Sequence, residues 1–226
     1  MNVAIIVAGG KGTRFGGNRP KQFLEINGTP VIVHTLRQFE RAQEIEHVVV
    51  VVPAGEVNSF RSLAREYDLK KVWQVVAGGE TRAQSVKQGL SAIHSADIVA
   101  VHDAVRPLVM PEEIDQVVLA AENNSSAAVL VAPVSETIKE VDQNRIIKTM
   151  LRAQLRRALT PQCFRFDILK RAYADLEEIE SLRMEVTDDS FLVERLGVPI
   201  VAIEGSARNI KITTAEDLKL AAELLR

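Results

Sequence analysis

Six short apolar runs constrain the fold of this chain more than any other feature. They are rich in Val and Ile and mostly lack polar alternation, which is typical of strands that are covered on both faces, as in a parallel sheet. The runs are Val3–Val7, Val48–Val52, Val72–Val76, Ile98–His102, Ala127–Val134 and Ile200–Ile203. The amphipathic stretches of helical length between them are Val31–Arg41, Val57–Tyr67, Arg82–Ile93, Glu112–Asn123 and Phe166–Leu182. This alternation predicts an α/β fold of three layers, Rossmann-like, with a mostly parallel central sheet.

Two sequence patterns indicate where helices begin. Thr81 with Gln84, and Thr213 with Glu216, have the spacing of a capping box. In that motif a Thr side chain accepts from the backbone N–H three residues on, and the residue there bonds back to the cap. We therefore expect helices to start directly after Thr81 and after Thr213.

Residues 135–149 break the strand–helix pattern. Polar and apolar side chains alternate there on both sides of Asp142, Gln143 and Asn144, which predicts a β-hairpin. A hairpin alone is marginally stable in water, so it must pack on its own domain or on a partner subunit. Since the chain has no linker, repeat or low-complexity segment, we expect a single domain over residues 1–226 with a protruding arm at about residues 135–158.

The segment of residues 5–23 carries the clearest chemical signal. Its glycines and cations follow the first apolar run in the order Gly9, Gly10, Gly12, Arg14, Arg19 and Lys21. Glycines let backbone N–H groups approach phosphate oxygens, and the cations neutralise their charge, so the segment predicts a polyphosphate-binding loop. An ordinary strand-to-helix turn is the alternative, but such a turn does not require three cations.

Two common glycine-loop motifs do not fit this segment. A Walker A loop requires Ser or Thr after Gly-Lys, but Gly12 follows Lys11. A dinucleotide-binding fingerprint requires a third glycine three residues after Gly12, where this chain has Phe15. This argues against a nicotinamide-dependent dehydrogenase.

Composition further limits the binding partners and the cellular compartment that can be expected. The chain has 226 residues, a net charge of -2 and 46% hydrophobic residues, so neither nucleic acid nor a membrane surface is indicated as a partner. Its single cysteine, Cys163, allows no intrachain disulfide and fits a reducing compartment. The first apolar run begins at Val3, which leaves no room for a signal peptide, and no run approaches transmembrane length. We therefore expect a cytoplasmic protein.

Polar groups follow other predicted strands at the same edge of the sheet. Gly79 and Ser85 flank a helix start and could contact a nucleotide base or sugar, although a tight strand–helix turn would look the same. Asp103 and Arg106 end the fourth run and could bind a ribose, a metal-phosphate or an anion; the alternative is an internal ion pair between them. His102 is expected to be a packed residue. Because ligands bind beyond the carboxyl ends of parallel strands, we expect these groups to converge.

Taken in order, these segments resemble one enzyme family along nearly the whole chain. They are AGGKGTRF, RPKQF, GGETRAQSV, VHDAVRP, APVSETIK, ALTPQ, VTDD and NIKIT. The sequence is similar to the sugar-phosphate cytidylyltransferases, and most closely to those that act on 2-C-methyl-D-erythritol 4-phosphate. The resemblance implies a reaction in which that phosphate attacks the α-phosphorus of CTP and pyrophosphate leaves, in the non-mevalonate route to isoprenoid precursors.

The resemblance also implies roles for individual residues. Arg14 and Lys21 would be catalytic and stabilise the α-phosphate in the transition state. The cytidine nucleotide would be bound by Ala8, Gly9, Gly10, Gly79, Glu80, Ser85 and Ala104. The acceptor phosphate substrate would be bound by Asp103, Arg106, Thr137, Arg152, Thr160, Thr187 and Lys211. Mg²⁺ would bridge the phosphates of CTP, and the arm would be exchanged in a homodimer, so that Thr137 and Arg152 serve the partner's site.

The chain departs from the family pattern at three places. Gly9 stands where Ala is more frequent, which keeps a small residue, and Leu151 stands where Asp is frequent, so a different neighbour would position Arg152. Arg208 stands where an acid is common, so no protein ligand of the metal is assigned. The nearest alternative function is a ribitol-5-phosphate cytidylyltransferase, which shares the opening motifs. A non-catalytic nucleotide-binding protein is the alternative of another class, but it would not need Arg14, Lys21 and Lys211. For Thr187 and the two acids after it, helix capping is an alternative to substrate binding.

Overall fold

The structure is a computed structural model that describes residues 1–9 and 21–226, apart from the side chains of Lys21, Asn124 and Ser125. Within these residues the strands are β1 (Val3–Val7), β2 (Glu25–Ile26), β3 (Thr29–Pro30), β4 (His47–Val52), β5 (Val72–Ala77), β6 (Ile98–Asp103), β7 (Ala127–Pro133), β8 (Lys139–Asp142), β9 (Arg145–Thr149), β10 (Arg156–Arg165) and β11 (Val201–Glu204). The α-helices are α1 (Val31–Arg41), α2 (Val57–Glu66), α3 (Arg82–Ser91), α4 (Pro111–Ala120), α5 (Phe166–Ala172), α6 (Leu176–Ser181), α7 (Asp189–Glu194) and α8 (Ala215–Leu224).

Seven of the strands form one sheet in the order β11-β7-β10-β6-β1-β4-β5. Their pairings are parallel except those of β10, which runs antiparallel to both β6 and β7. The predicted α/β fold with a mostly parallel sheet is therefore confirmed. All six apolar runs are strands, with ends that differ from the prediction by at most one residue.

Among the strands of the seven-stranded sheet, sequence analysis missed β10. It begins with charged residues and contains Pro161, which lacks an N–H and is disfavoured inside a sheet. The structure accommodates the proline because the pairing of β10 with β7 shifts between Ala158 and Gln162. This break lies at the level of Asp103 at the end of β6, so β10 delivers Thr160 and Gln162 to the site described below.

Helices cover both faces of the sheet. Alternation along β1 sends Ala4 and Ile6 to one face, where they pack with α1, α2 and α4. Val3 and Ile5 point to the other face, where they pack with α3 and with α5 to α7. The three predicted layers follow directly from this period of two in strands that are apolar on both faces.

Two helix predictions were wrong in detail. The stretch Phe166–Leu182 forms two short helices, α5 and α6, rather than one. The last helix starts one residue later than expected, because Thr214 is its N-cap and forms the capping box with Asp217. Thr213 instead donates to the same Asp217 carboxylate through its backbone and hydroxyl groups, each at 2.8 Å, so adjacent threonines share one acid.

The predicted hairpin is β8 and β9, and it protrudes from the sheet. Gln143 and Asn144 form its turn with φ values of 43° and 65°, the left-handed conformation that a tight two-residue hairpin turn needs. Every residue from Lys139 to Thr149 is exposed. The hairpin joins the carboxyl end of β7 to the start of β10, so it leaves the sheet at the rim where the parallel strands end. None of the helices in residues 1–9 and 21–226 is both long and apolar enough to cross a membrane.

Candidate active site

Two glycine segments meet at the rim of the sheet, on either side of Ser85. A Cβ atom at Gly9, after β1, would lie 2.6 Å from the Ser85 Oγ, and one at Gly78, after β5, would lie 2.7 Å from the same atom. Ser85 is fixed, since its Oγ accepts from the Gly79 N–H at 3.2 Å and donates to the Thr81 carbonyl at 2.9 Å. Glycine at position 9 therefore leaves the space that the Ser85 hydroxyl occupies.

The backbone beside the first glycine segment is held by buried polar contacts. The Ala8 N–H donates to the Val51 carbonyl at 2.7 Å. Gln22 is only 2% exposed and donates to the Ala8 carbonyl at 2.6 Å. Because Gln22 belongs to the short 3₁₀ turn Lys21–Phe23, this bond fixes the backbone of the predicted catalytic Lys21 against the glycine segment. Sequence analysis did not assign a role to Gln22.

The structure gives no side-chain contacts for three of the predicted site residues. Gly10 and Arg14 lie outside the described residues, and for Lys21 only the backbone is described. Their assigned roles stay predictions from the resemblance.

The second glycine segment leads into a capped helix. Thr81 accepts from the Gln84 N–H at 3.0 Å, so the predicted start of α3 is confirmed. The Gln84 side chain returns to the N–H of the exposed Glu80, at 3.0 Å, instead of to Thr81. Ala104 is also predicted to contact the nucleotide; its N–H donates to the Val7 carbonyl at 3.1 Å, which places it beside the first glycine segment.

At the end of β6, Asp103 is surrounded by three cations. Its Oδ2 accepts from Lys211 Nζ at 2.9 Å and from Arg106 Nε at 3.3 Å, and its Oδ1 accepts from Arg82 Nε at 3.1 Å. The exposed side-chain fractions are 8% for Asp103, 11% for Arg106 and 36% for Lys211. The predicted convergence of Asp103, Arg106 and Lys211 is observed, and so is the Asp103–Arg106 ion pair that sequence analysis gave as the alternative.

Burial and charge act in opposite directions on Asp103. Burial by itself would raise the pKa of Asp103, but the positive charges of Arg82, Lys211 and Arg106 outweigh it and hold that pKa well below its usual range. Asp103 is therefore an anion at neutral pH. Burial lowers the pKa of Arg106, and the negative charge of Asp103 acts in the opposite direction. The carboxylate therefore stabilises the charged form of this buried guanidinium.

Arg82 was not singled out by sequence analysis, yet it links Asp103 to a second buried acid. Its Nη2 donates to Asp189 Oδ2 at 2.8 Å, and the Asp189 side chain is 0% exposed. A signal was present in the sequence: Arg82 is the first residue of α3, where the helix dipole disfavours a cation. An arginine at that position is compatible with nearby acids that offset this cost, although the sequence does not show which ones.

Thr160 supports Asp103 through the backbone. The Arg106 carbonyl can only accept, so His102 donates to it from Nε2 at 3.2 Å and its Nδ1 is then an acceptor. Thr160 donates its hydroxyl to that Nδ1 at 2.9 Å and accepts from the Asp103 N–H at 3.2 Å. With 4% exposure, the Thr160 hydroxyl is engaged inside the protein, and its contact with substrate stays a prediction. His102 is fully buried, as expected of a packed residue.

The remaining predicted acceptor-binding residues are exposed. Thr137 lies before β8, and Arg152 donates to the Ser135 carbonyl at 2.7 Å, at the base of the arm. Among the described residues, neither one is bonded to the Asp103 cluster within this chain. Thr187 precedes α7, whose N-cap is Asp188. Asp188 therefore caps α7, and Thr187 does not.

Charges of both signs meet at this site. Among the described residues, Arg82, Arg106 and Lys211 lie against Asp103 and Asp189, and Asp188 lies beside Asp189, so three cations and three carboxylates balance. By the resemblance, Arg14 and Lys21 would add the positive charge that, with the glycine segments, favours a polyanionic ligand.

Known proteins are similar in sequence to this chain over nearly its whole length. The family model of IspD, 2-C-methyl-D-erythritol 4-phosphate cytidylyltransferase, matches residues 2–226. The chain belongs to this family. The enzyme of that name from Rubrobacter xylanophilus is 43% identical over 225 residues, which cover 99% of this chain and 94% of the relative. The predicted family, and with it the cytidylyltransferase class, is therefore confirmed.

Solved structures agree with this assignment. The 4-diphosphocytidyl-2C-methyl-D-erythritol synthase from Anaerococcus prevotii matches with a TM-score of 0.86 and 28% identity, over 100% of this chain and 96% of that one. The 2-C-methyl-D-erythritol 4-phosphate cytidylyltransferase of Francisella tularensis matches with a TM-score of 0.80 and 32% identity, over 97% of each chain. These matches confirm the fold of this cytidylyltransferase.

Proposed function

We propose that this cytidylyltransferase joins CTP and 2-C-methyl-D-erythritol 4-phosphate at the rim formed by β1, β5 and β6, where the sheet's parallel strands end. An oxygen of the acceptor phosphate attacks the α-phosphorus of CTP, the bond to the β-phosphate oxygen breaks, and pyrophosphate leaves. The observation that carries the proposal is the cationic cluster around Asp103 beside two glycine segments, in a chain that matches the family along its full length.

The main difficulty of this reaction is charge, because both reactants are anions. Positioning them together and spreading the charge of the transition state supplies most of the catalysis in phosphoryl-type transfer. We assign Arg14 and Lys21 to the α-phosphate, as the family resemblance implies. The buried bond from Gln22 to Ala8 supports this assignment for Lys21, because it ties the backbone next to Lys21 to the glycine segment that would hold the nucleotide.

The nucleotide half of the site is built mainly from backbone. We propose that Ala8, Gly9, Gly10, Gly79, Glu80, Ser85 and Ala104 surround the cytidine nucleotide. Close approach of the two segments explains why glycines are needed at 9 and 78, since any side chain would displace the Ser85 hydroxyl.

The acceptor half of the site is built from side chains. We propose that Lys211 and Arg106 bind the acceptor phosphate, with Asp103 balancing their charge, and that Thr160 and Thr187 complete this half. Lys211 is the more exposed of the two cations, at 36% against 11% for Arg106, so it is the one most accessible to an incoming phosphate.

We propose that Mg²⁺ enters with CTP, held mainly by triphosphate oxygens. Within residues 1–9 and 21–226 no group of three or more His, Cys, Asp or Glu side chains is arranged to hold a metal. The carboxylates at the rim already accept hydrogen bonds from protein donors, Asp103 from cations and Asp188 from Gln162, Ser190 and Phe191. When bound, Mg²⁺ supplies further charge neutralisation to the triphosphate.

We propose that the active enzyme is a homodimer in which the arms are exchanged. Five large apolar side chains on and beside the arm are 37–65% exposed in the single chain: Ile138, Val141, Ile146, Ile147 and Leu151. An isolated hairpin with such a surface is marginally stable, and a second copy would cover it. Exchange would also carry the exposed Thr137 and Arg152 to the partner's acceptor site. We further propose that residues 1–226 form one domain and that the enzyme works in the cytoplasm.

An assay of pyrophosphate release tests the proposed function. The purified chain is incubated with Mg²⁺ and CTP, and with either methylerythritol phosphate or ribitol 5-phosphate as acceptor; UTP and ATP replace CTP in parallel reactions. We expect product only with CTP and methylerythritol phosphate. Preference for ribitol 5-phosphate would overturn the acceptor assignment, and absence of product with every acceptor would favour a nucleotide-binding protein without catalysis.

A further inference from the structure

Arg82 is a bridge between two carboxylates that are distant in the sequence. It reaches Asp103 Oδ1 through Nε at 3.1 Å and Asp189 Oδ2 through Nη2 at 2.8 Å. Its side chain is 24% exposed, against 8% for Asp103 and 0% for Asp189. The guanidinium is therefore a mostly buried link between α3, the end of β6 and α7.

Asp189 is held from several directions and can act as a fixed point. The Tyr173 hydroxyl donates to Asp189 Oδ1 at 2.5 Å. The N–H groups of Asp189 and Ser190 donate to Gln162 Oε1 at 3.1 Å and 3.0 Å. With its carboxylate and its backbone both bonded, Asp189 determines where the guanidinium of Arg82 lies.

Removal of Arg82 would change the balance of forces on Asp103. Arg82 is the partner of Oδ1, whereas Arg106 and Lys211 both bind Oδ2. Without Arg82, the carboxylate would be free to turn toward the other two cations. Lys211 would then be drawn into the cluster and away from an incoming phosphate.

We propose that Arg82 is a positioning residue for cytidylyl transfer. It holds the Asp103 carboxylate between the glycine segments and the Arg106–Lys211 pair, and Asp189 is its anchor. The inference rests on the proposed function and assigns Arg82 no contact with either substrate. Because in-line attack is sensitive to the placement of the reactants, misplacement of about 1 Å costs on the order of 10²-fold in rate.

The test compares four variants of the full-length chain: Arg82→Gln, Arg82→Lys, Asp189→Asn and the double variant Arg82→Gln/Asp189→Asn. Steady-state kcat and KM are measured for methylerythritol phosphate and for CTP, and thermal unfolding is followed for every variant. Arg165→Gln is the control, because Arg165 also pairs with an acid, Asp167, but lies beside Ile98 at the opposite end of β6 from Asp103.

For Arg82→Gln we expect kcat/KM for the acceptor to fall about 10²-fold, with a smaller change in KM for CTP. Arg82→Lys keeps the charge but loses the fork that reaches both acids, so it should recover only part of this loss. The double variant removes both members of the buried pair and should regain much of the Tm lost in either single variant. Its kcat/KM should nevertheless stay as low as that of Arg82→Gln, because Asp103 is still unsupported.

Two results would overturn the inference while the wild type is active. One is an Arg82→Gln variant with kcat/KM within about twofold of the wild type, well inside the 10²-fold cost of misplacement. The other is a double variant whose kcat/KM recovers together with its Tm, which would show that Arg82 only stabilises the fold. A wild-type chain without activity would instead overturn the proposed function, and this inference with it.

Discussion

The rim around Asp103 and the arm of β8 and β9 differ in how many of their side chains find a partner within one chain. At the rim, each carboxylate oxygen of Asp103 has a cationic partner, and the buried Asp189 is bonded through side chain and backbone. On the arm, every residue is exposed, including Ile146 at 65% and Ile147 at 56%. The contacts of the rim lie within one chain, whereas the apolar surface of the arm is left uncovered, and we propose that a second copy covers it. The two regions should therefore respond differently to mutation and to dilution.

The largest effect is expected at the rim, from loss of a cation. Lys21→Ala should lower kcat by about two or more orders of magnitude, because a preorganised charge that stabilises the transition state is removed. Thermal unfolding should change little. Lys170→Ala is a suitable control, since Lys170 is an exposed residue near the end of α5. Near-normal turnover of Lys21→Ala would show that its assigned role is wrong.

The buried histidine beneath Asp103 should make the rim sensitive to acid. Burial lowers the pKa of His102 to about 3, from 6.5 in an exposed side chain. The unfolded chain therefore binds a proton in this interval that the folded chain does not, and stability is lost as the pH falls from about 6.5 toward 3. Between pH 6 and pH 4 this contribution is on the order of 2 kcal/mol.

Urea unfolding of the wild type and of His102→Gln at several pH values measures this contribution. The variant should lose less stability than the wild type on acidification. His94→Gln replaces an exposed histidine and should follow the wild type. Equal pH dependence in His102→Gln and the wild type would contradict the contribution of His102.

The arm should be sensitive to protein concentration. Ile146→Asp places a charge in the proposed dimer contact, and we expect a monomer in light scattering and a loss of activity of about tenfold or more, because burial of an unpaired charge costs several kcal/mol. Wild-type activity per chain should fall on dilution below the dissociation constant. Lys148→Ala, on the same strand, is a milder control. A dimeric, fully active Ile146→Asp variant would show that the arm has no such partner.

The smallest effect is expected at the contact between the glycine segments. A methyl group at position 9 would lie 2.6 Å from the Ser85 Oγ, so Gly9→Ala must displace that hydroxyl from its bonds to Gly79 and Thr81. We expect KM for CTP to rise about fivefold, the low end of the cost of overpacking. In Gly9→Ala/Ser85→Ala the space is restored, so the two changes should be less than additive; strict additivity would argue against this contact.

The fold could be predicted from the sequence because strands that are buried on both faces leave a simple apolar signal. The antiparallel strand β10 lacked that signal: charged residues begin it and Pro161 interrupts it, and only tertiary pairing with β6 and β7 places it in the sheet. The helix α6 was merged with α5 because amphipathic periodicity continues across the turn between them.

The residues at strand ends could be predicted from the sequence, whereas the residues that support them could not. Motifs that follow strands must meet at one rim, so Asp103 and Arg106 were expected there, whereas Lys211 was placed with them only by the family resemblance. Arg82 and Asp189 are 107 residues apart, and nothing local in either sequence indicates the other. Gln22 and Gln162 act by orienting backbone groups, which leaves no charge pattern to recognise. Such supporting residues become visible only when the chain is folded.

The direction of β10 has a consequence for how enzymes of this kind can diversify. Because β7 and β10 are antiparallel neighbours, the arm is the tip of one long hairpin whose two legs are fixed in the middle of the sheet. Residues can be inserted into or deleted from the tip without shifting the register of either leg. Changes at the tip can thus alter the exposed surface of the arm while the contacts around Asp103 keep their geometry.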